Sequence, residues 1–219
     1  PVILIAKGIK FNNTHSYDDL NLILSAVDIP PATPKTNYVD IAGADGSLDL
    51  SEVHGEVKFY DRECSFTFTM NPSEDLSETA FEEKKTEISN LLNGKRCKIT
   101  VDKDPDYYWL GRCFVNKYKS SGLAHTIVVN ATVSPYKLKQ EETRVIFPAG
   151  QSTKKLLNAR KRVIPTITTA GASITLGETT VTLEAGTHRI PDIELVEGEN
   201  VVRVTSGAEV LFVWQEGDL

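Results

Sequence analysis

The chain has 219 residues and a formal net charge of −6, with 40% hydrophobic and 25% charged residues. That balance excludes an intrinsically disordered chain, and the acidic sign argues against a general DNA-coating protein, which needs a broad basic surface. Three cysteines, Cys64, Cys97 and Cys113, are too few and too widely spaced for a disulfide framework or a zinc site with two CxxC arms. They point instead to a reducing compartment and buried thiols. No apolar run approaches the ~18 residues of a membrane helix, and residues 2–6 (VILIA) lack the length and basic flank of a secretory h-region.

Most of the sequence has strand periodicity. In residues 19–26, Leu20, Leu22, Leu24 and Ala26 recur at every second position, the pattern of a half-buried strand. A proline-rich arm follows. Pro30, Pro31 and Pro34 remove three backbone donors and fix φ, so residues 29–34 are expected to be extended and barred from a central sheet position. Residues 38–41 then lead to a turn at 43–46 (GADG), with Leu48 and Leu50 resuming the alternation beyond it. In residues 64–70, Cys64, Phe66, Phe68 and Met70 face one way and Ser65, Thr67 and Thr69 the other, which suits a sheet with one face on a core.

One helix stands out, at residues 77–93. Ser77 suits the N-cap, Glu78, Glu82 and Glu83 complement the positive end of the dipole, and Phe81, Ile88, Leu91 and Leu92 form an apolar stripe. Gly94 suits the left-handed residue that closes a helix. A hairpin is expected next, from 97–101 to 109–115 around the loop 102–108. Pairing Val101 with Trp109 would set Cys97 opposite Cys113, either as two packed thiols or as a strained cross-strand disulfide. A long strand at 125–133 ends at Ser134-Pro135-Tyr136.

From about residue 144 the texture changes to short runs rich in Thr, Val and Ile, at 166–168, 173–176, 180–183, 192–195, 200–204 and 209–214, punctuated by glycines. Such spacing is the signature of an antiparallel sandwich. The charged stretch 137–142 marks the boundary, which gives domains at 1–138 and 139–219.

Catalytic constellations do not emerge. The histidines (His15, His54, His125, His188) have no partner at a metal-ligand spacing, there is no GxSxG elbow, and no glycine-rich phosphate loop precedes a helix. Glu82-Glu83 read as a solvated helix face. Asp102, Asp104 and Asp106 lack the glycine and distal glutamate of a calcium loop. No enzyme, metal or cofactor is therefore expected. Lys154, Lys155, Arg160, Lys161 and Arg162 form a basic cluster, suited to an acidic neighbour or, less well, to nucleic acid. Tyr107, Tyr108 and Trp109 are candidate interface or core anchors, with sugar stacking as the other option.

The order of these pieces resembles the distal tail protein family of long, non-contractile-tailed phages and Gram-positive prophages. The residues that carry the likeness are Ile9-Lys10-Phe11-Asn12-Asn13 with His15-Ser16, the segment from Ile29-Pro30-Pro31 through Asp40-Ile41-Ala42-Gly43-Ala44-Asp45-Gly46-Ser47-Leu48-Asp49-Leu50, and Phe66-Thr67-Phe68. The single helix, Gly94-Lys95, Tyr108-Trp109-Leu110-Gly111-Arg112, Ser134-Pro135-Tyr136-Lys137 and Gly198-Glu199-Asn200-Val201-Val202 continue it. Ala42 stands where that pattern has proline, and the C-terminal part is short for the family.

The resemblance implies a mainly β fold: an N-terminal tail-tube-like barrel or sandwich with one helix, and a C-terminal galectin-like β-sandwich. It implies a homo-hexameric ring at the virion tail tip, or baseplate, assembled in the bacterial host cytoplasm. Its partners would be the tail tube protein, the tail-associated lysin or fibre hub protein, and receptor-binding or accessory baseplate proteins. No membrane and no specific nucleic acid enter. Unpaired sheet edges and an extended arm are what a ring subunit satisfies with a neighbour. Ile29, Pro30, Pro31 and Pro34, with Tyr107, Tyr108 and Trp109, are the expected inter-subunit or tube contacts. An acidic ring lining would repel passing DNA. The alternative is a lectin-like module of the adsorption apparatus, using Trp214 with Asn158, His188, Arg189 and Asn200.

Overall fold

The computed structural model describes residues 8–53, 55–121 and 124–219; the apolar run at 2–6 and His54 lie outside them. The chain divides into two compact units, Pro1–Pro135 and Tyr136–Leu219.

The first unit contains β1 (Ile9–Phe11), β2 (Thr14–His15), β3 (Leu22–Asp28), β4 (Tyr38–Asp40), β5 (Ser47–Asp49), β6 (Arg62–Met70), α1 (Glu78–Leu92), β7 (Arg96–Val101), β8 (Tyr107–Ser121) and β9 (Ala124–Val133). Its large sheet has the order β2-β1-β7-β8-β9-β6-β3, with antiparallel pairing, and β4 and β5 form a separate hairpin. The period-two pattern of β6 is realised as read. Cys64, Phe66, Phe68 and Met70 are buried, and Phe11 meets Phe66 and Phe68 edge-to-face at 6.1 Å each.

Helix α1 covers this apolar face. The Ser77 hydroxyl accepts from the Ala80 amide at 3.2 Å, a cap worth about 1 kcal/mol. Phe81, Ile88 and Leu92 are buried, and Phe81 stacks on His125 at 4.4 Å. Gly94, at φ 75°, turns the chain into β7.

Two registers differ from the sequence reading. In β3, Leu22 is buried and Leu24 half-buried, but Ala26 is exposed, because the pairing with β6 shifts between Leu24 and Ala26. Ser25 is the extra residue of a bulge, and a one-residue slip turns later side chains to the opposite face. In the β7–β8 hairpin, Ile99 pairs with Trp109 and Cys97 with Gly111, two residues away from the expected register. The turn is tighter than expected: the Asp104 amide donates to Val101 O and the Tyr107 amide to Asp104 O. A slip of two keeps the face, so Cys97 and Cys113 are still buried.

All three thiols are free. Burial pushes Cys64 up to about 11, and it raises Cys113 further, with Cys97 adding to the effect. Thiols held protonated are poor nucleophiles. Native protein at pH 8 is therefore expected to resist a thiol reagent, and unreduced protein in denaturant to titrate three thiols; a count below three would show a disulfide.

Gly111 marks a close approach of strands. A Cβ there would lie 2.4 Å from Thr132 O and 2.8 Å from Val133 Cα, both backbone atoms.

The second unit is a two-sheet sandwich, built on β10 (Lys137–Lys139), β11 (Thr143–Phe147), β12 (Gly150–Asn158), β13 (Thr166–Thr169), β14 (Ala172–Leu176), β15 (Thr179–Leu183), β16 (Gly186–His188), β17 (Gly198–Ser206), β18 (Val210–Trp214) and β19 (Gly217–Asp218). One sheet runs β11-β18-β13-β16 and the other β12-β17-β14-β15. Between them lie Phe147, Leu156, Ile167, Ile174, Val202, Val204, Phe212 and Trp214, all buried. The expected mainly β chain, with a single helix among the described residues, is found. The strand expected at 192–195 is not. Ile193 N donates to Ile190 O in a turn, and Leu195 makes only an isolated bridge to Val163.

Candidate assembly surfaces

Between Pro30 and Asp61 no described side chain is buried. Backbone pairing and a few exposed side-chain hydrogen bonds organise this arm. Lys35 N donates to Lys58 O at 2.7 Å, Tyr60 N to Thr33 O at 2.9 Å and Leu50 N to Asn37 O at 2.7 Å. At the tip, β4 and β5 pair Val39 with Leu48, and Gly43 (φ 82°) and Gly46 (φ 76°) make the turn. Ser47 donates to Asp40 at 2.6 Å. The Ser51 hydroxyl and amide donate to Asp49 and hold that carboxyl below its usual range.

The root of the arm is fixed. Arg62 is buried, donating from Nε to Pro135 O at 2.9 Å and from Nη1 to Pro30 O at 3.2 Å. Burial lowers its pKa, yet an arginine stays charged, and two carbonyls solvate it in place of water. Ile29 packs on the edge of the core, Pro30 is half-buried, and Pro31 and Pro34 are exposed.

The arm also carries apolar surface: Tyr38 is 60%, Ile41 51%, Leu48 49%, Val53 66% and Tyr60 55% exposed. A two-stranded ribbon with no core is marginal in water by itself, and grouped large apolar side chains mark an interaction surface.

The other predicted contacts are distributed differently. Trp109 is buried in the core and unavailable to a partner, because it lies on the same strand face as Gly111 and Cys113. Tyr107 and Tyr108 are half-buried, and Lys98 Nζ lies 4.1 Å from the centre of the Tyr108 ring.

The basic cluster does not form one free patch. Lys154 donates to Ile146 O at 2.7 Å, bridging β12 to β11 at the open side of the sandwich. Lys155 pairs with Glu199 at 2.7 Å, Arg160 with Glu197 at 2.9 Å and Arg162 with Glu194 at 3.1 Å. Lys161 is lowered by burial and, second, by Arg189. Since its folded pKa lies below 10.5, the unfolded chain binds more protons between the two values, and stability rises with pH across that window. Lys161→Met is expected to raise the melting temperature at pH 7 and to flatten this alkaline rise in a pH series of thermal melts.

The residues of the lectin alternative are occupied in folding. Trp214 is 3% exposed, so its ring cannot stack on a sugar. Asn158 and Asn200 are buried and serve the backbone of the 195–198 turn, with the Asn200 carbonyl accepting from Val196 N at 2.9 Å and Asn158 Nδ2 donating to Leu195 O at 3.3 Å. His188 contacts Glu184 O at 3.0 Å, and Arg189 donates to Ile164 O at 3.3 Å.

One cluster escaped the sequence reading. His15 Nε2 sits 3.2 Å from both oxygens of Asp102, and its Nδ1 accepts from Asp18 N at 3.1 Å. The Gly8 amide donates to the same Asp102 carboxylate. Separated by 87 positions, the pair has no local signal. With both ring nitrogens engaged it acts as a latch on the β1–β2 turn. Among the described residues no three potential ligands gather for a metal. The 320 Å³ cleft at Asn21, Met70, Glu83 and Glu87 contains no nucleophile paired with a base.

Neither a protein-family model nor a curated protein sequence matches the chain. A solved structure does. SPP1 Dit (gp 19.1), described as a paradigm of the hub adsorption apparatus in Gram-positive infecting phages, superposes with a TM-score of 0.71 at 15% identity, over 95% of this chain and 98% of that one. This chain has the Dit fold. The Dit likeness spans both units, so it accounts for the sandwich as well as for the helix-covered sheet. The resemblance read from motif order is thus borne out in the fold.

Proposed function

We propose that this protein is a structural hub of a phage or prophage tail tip, a ring of six copies that joins the tail tube to the adsorption proteins and lets DNA pass. The observation that carries this reading is the arm of residues 30–61, which exposes large apolar side chains and has no core of its own. Ile29, Pro30, Pro31 and Pro34 set its root and direction, and the β4–β5 tip with Tyr107 and Tyr108 provides contacts for a neighbouring copy or the tube. The hub description of SPP1 Dit, whose fold this chain shares, supports the same role. Its work is mechanical and needs no catalytic group.

Native mass measurement of the full chain, alone and with the tail tube protein, tests the proposal. Hexamers in either sample support it. Monomers in both, at every concentration up to the solubility limit, refute it.

A further inference from the structure

Helix α1 covers one face of the large sheet, and the opposite face is open. Along β1, β7 and β8 the buried residues Ile9, Phe11, Cys97, Ile99, Trp109, Gly111 and Cys113 alternate with residues that turn to the open side. Those residues include Lys10, Arg96, Lys98 and Arg112. Beyond the β8 bulge, Lys117 lies opposite Val128 and Lys119 opposite Thr126, continuing the same face. Six cations thus share three adjacent strands of a chain whose net charge is −6.

The acidic residues on that face are Glu63, which accepts from the Thr132 hydroxyl at 2.9 Å, Asp28 at the far edge on β3 and, at the end beside Lys10, Asp102, which with Asp18 is engaged by His15. Lys10, Arg96, Lys117 and Lys119 form no ion pair among the described residues. Lys98 lies on the Tyr108 ring, and Arg112 donates to Gly94 O, so both charges remain uncompensated. Between the cations and the far edge the face presents Ser65, Thr67, Thr69, Thr126, Asn130 and Thr132, all half-buried, together with Val128 and the exposed Phe114.

We propose that this open face binds the phosphate backbone of nucleic acid, without reading its sequence. Cations concentrated on one face of an acidic protein create a local field of sign opposite to the rest of the surface, and phosphodiesters complement it. From the level of Lys98 to Lys119 the stripe runs about 25 Å at roughly 3.3 Å per residue, which matches about seven base pairs at 3.4 Å each. Among the described residues these cations lie on the paired strands themselves, so contacts are expected at phosphate and sugar. The expectation of an acidic ring lining is reversed for this face. A weak, screened contact of this type lets a chain hold DNA and still slide along it. The proposal depends on the tail-hub reading only for the source of the DNA.

The test uses the full-length protein and fluorescence anisotropy with two unrelated 30-base-pair duplexes, from 50 to 200 mM NaCl. The unmodified chain is expected to bind both duplexes equally and to weaken steeply with salt. Lys98→Gln, Lys117→Gln and Lys119→Gln together should lower affinity at 50 mM at least tenfold and reduce the slope of log K against log salt by about three. Lys117 and Lys119 are exposed, and Lys98 is half-buried on the Tyr108 ring. Lys117→Gln and Lys119→Gln alone, with a slope change of about two, provide a second variant should the triple one melt early. Equal binding by the original and the variants, or no binding by the original at 50 mM, overturns the proposal. Loss of oligomer mass in the variants with DNA binding unchanged assigns the face to a subunit contact instead, and also overturns it. Oligomer mass is read separately from DNA binding, so the ring can fail while this proposal stands, and the reverse.

Discussion

Val39→Thr, Ile41→Thr and Leu48→Thr, introduced together, are expected to leave the subunit folded and abolish ring assembly at micromolar concentration. All three side chains are about half exposed or slightly less (43%, 51% and 49%) and touch no core, so the folded subunit loses little when they become polar. Threonine keeps the β preference of the hairpin. What disappears is the apolar area a neighbour would cover. At about 1 kcal/mol for each half-exposed side chain, the three amount to roughly 3 kcal/mol per contact, a change of about 100-fold in the association constant. Each subunit of a ring makes two such contacts, so closure is penalised more steeply than a single dimer. Native mass spectra and thermal melts of the same samples check this. An unchanged hexamer would show that the arm is not the assembly element.

Gly111→Ala is expected to destabilise the first unit by about 3 kcal/mol, at the upper end of the usual cost of overpacking. The added methyl would meet Thr132 O at 2.4 Å and Val133 Cα at 2.8 Å, and backbone atoms in paired strands cannot rotate away. Gly207→Ala is the matched control, because a Cβ there meets nothing within 4 Å and its φ is ordinary. That change should be neutral or slightly stabilising through the unfolded chain. Urea midpoints of both variants measure the difference. Equal midpoints would mean that β8 and β9 can separate at Gly111 without loss.

Several elements were legible because their signals are local. The alternation of Cys64, Phe66, Phe68 and Met70 states a period of two, and the structure realises it. Ser77, the stripe of Phe81, Ile88 and Leu92, and Gly94 specify a helix by spacing, cap and stop. The C-terminal strands were placed by their turn glycines, except at 192–195, where a run of apparent alternation turns between Ile190 and Ile193 and is then pinned at Leu195 and Val196 by Asn158 and Asn200.

The errors arose where partners are remote. The sequence does not show that Ser25 bulges out, because that depends on how β3 meets β6. Likewise Trp109 has the composition of an interface anchor, and its place on the core-facing side of β8 with Gly111 and Cys113 makes it core. The basic run at 154–162 looks like a patch in one dimension. In three dimensions most of its members turn to separate carboxylates or carbonyls. The open basic face of the large sheet is the converse, since Lys10, Lys98 and Lys119 are brought together only by strand pairing.

By itself, then, the sequence determined a mainly β chain, its helix, its change of texture from about residue 144 and the order of motifs that matches a tail-protein fold. These follow from periodicity and turn chemistry, which act over a few neighbouring residues. Which side chains end up buried, paired or left facing water was decided only by tertiary structure. Strand register is set by contacts tens of residues apart, and a slip of one or two residues reassigns the neighbours of every side chain that follows.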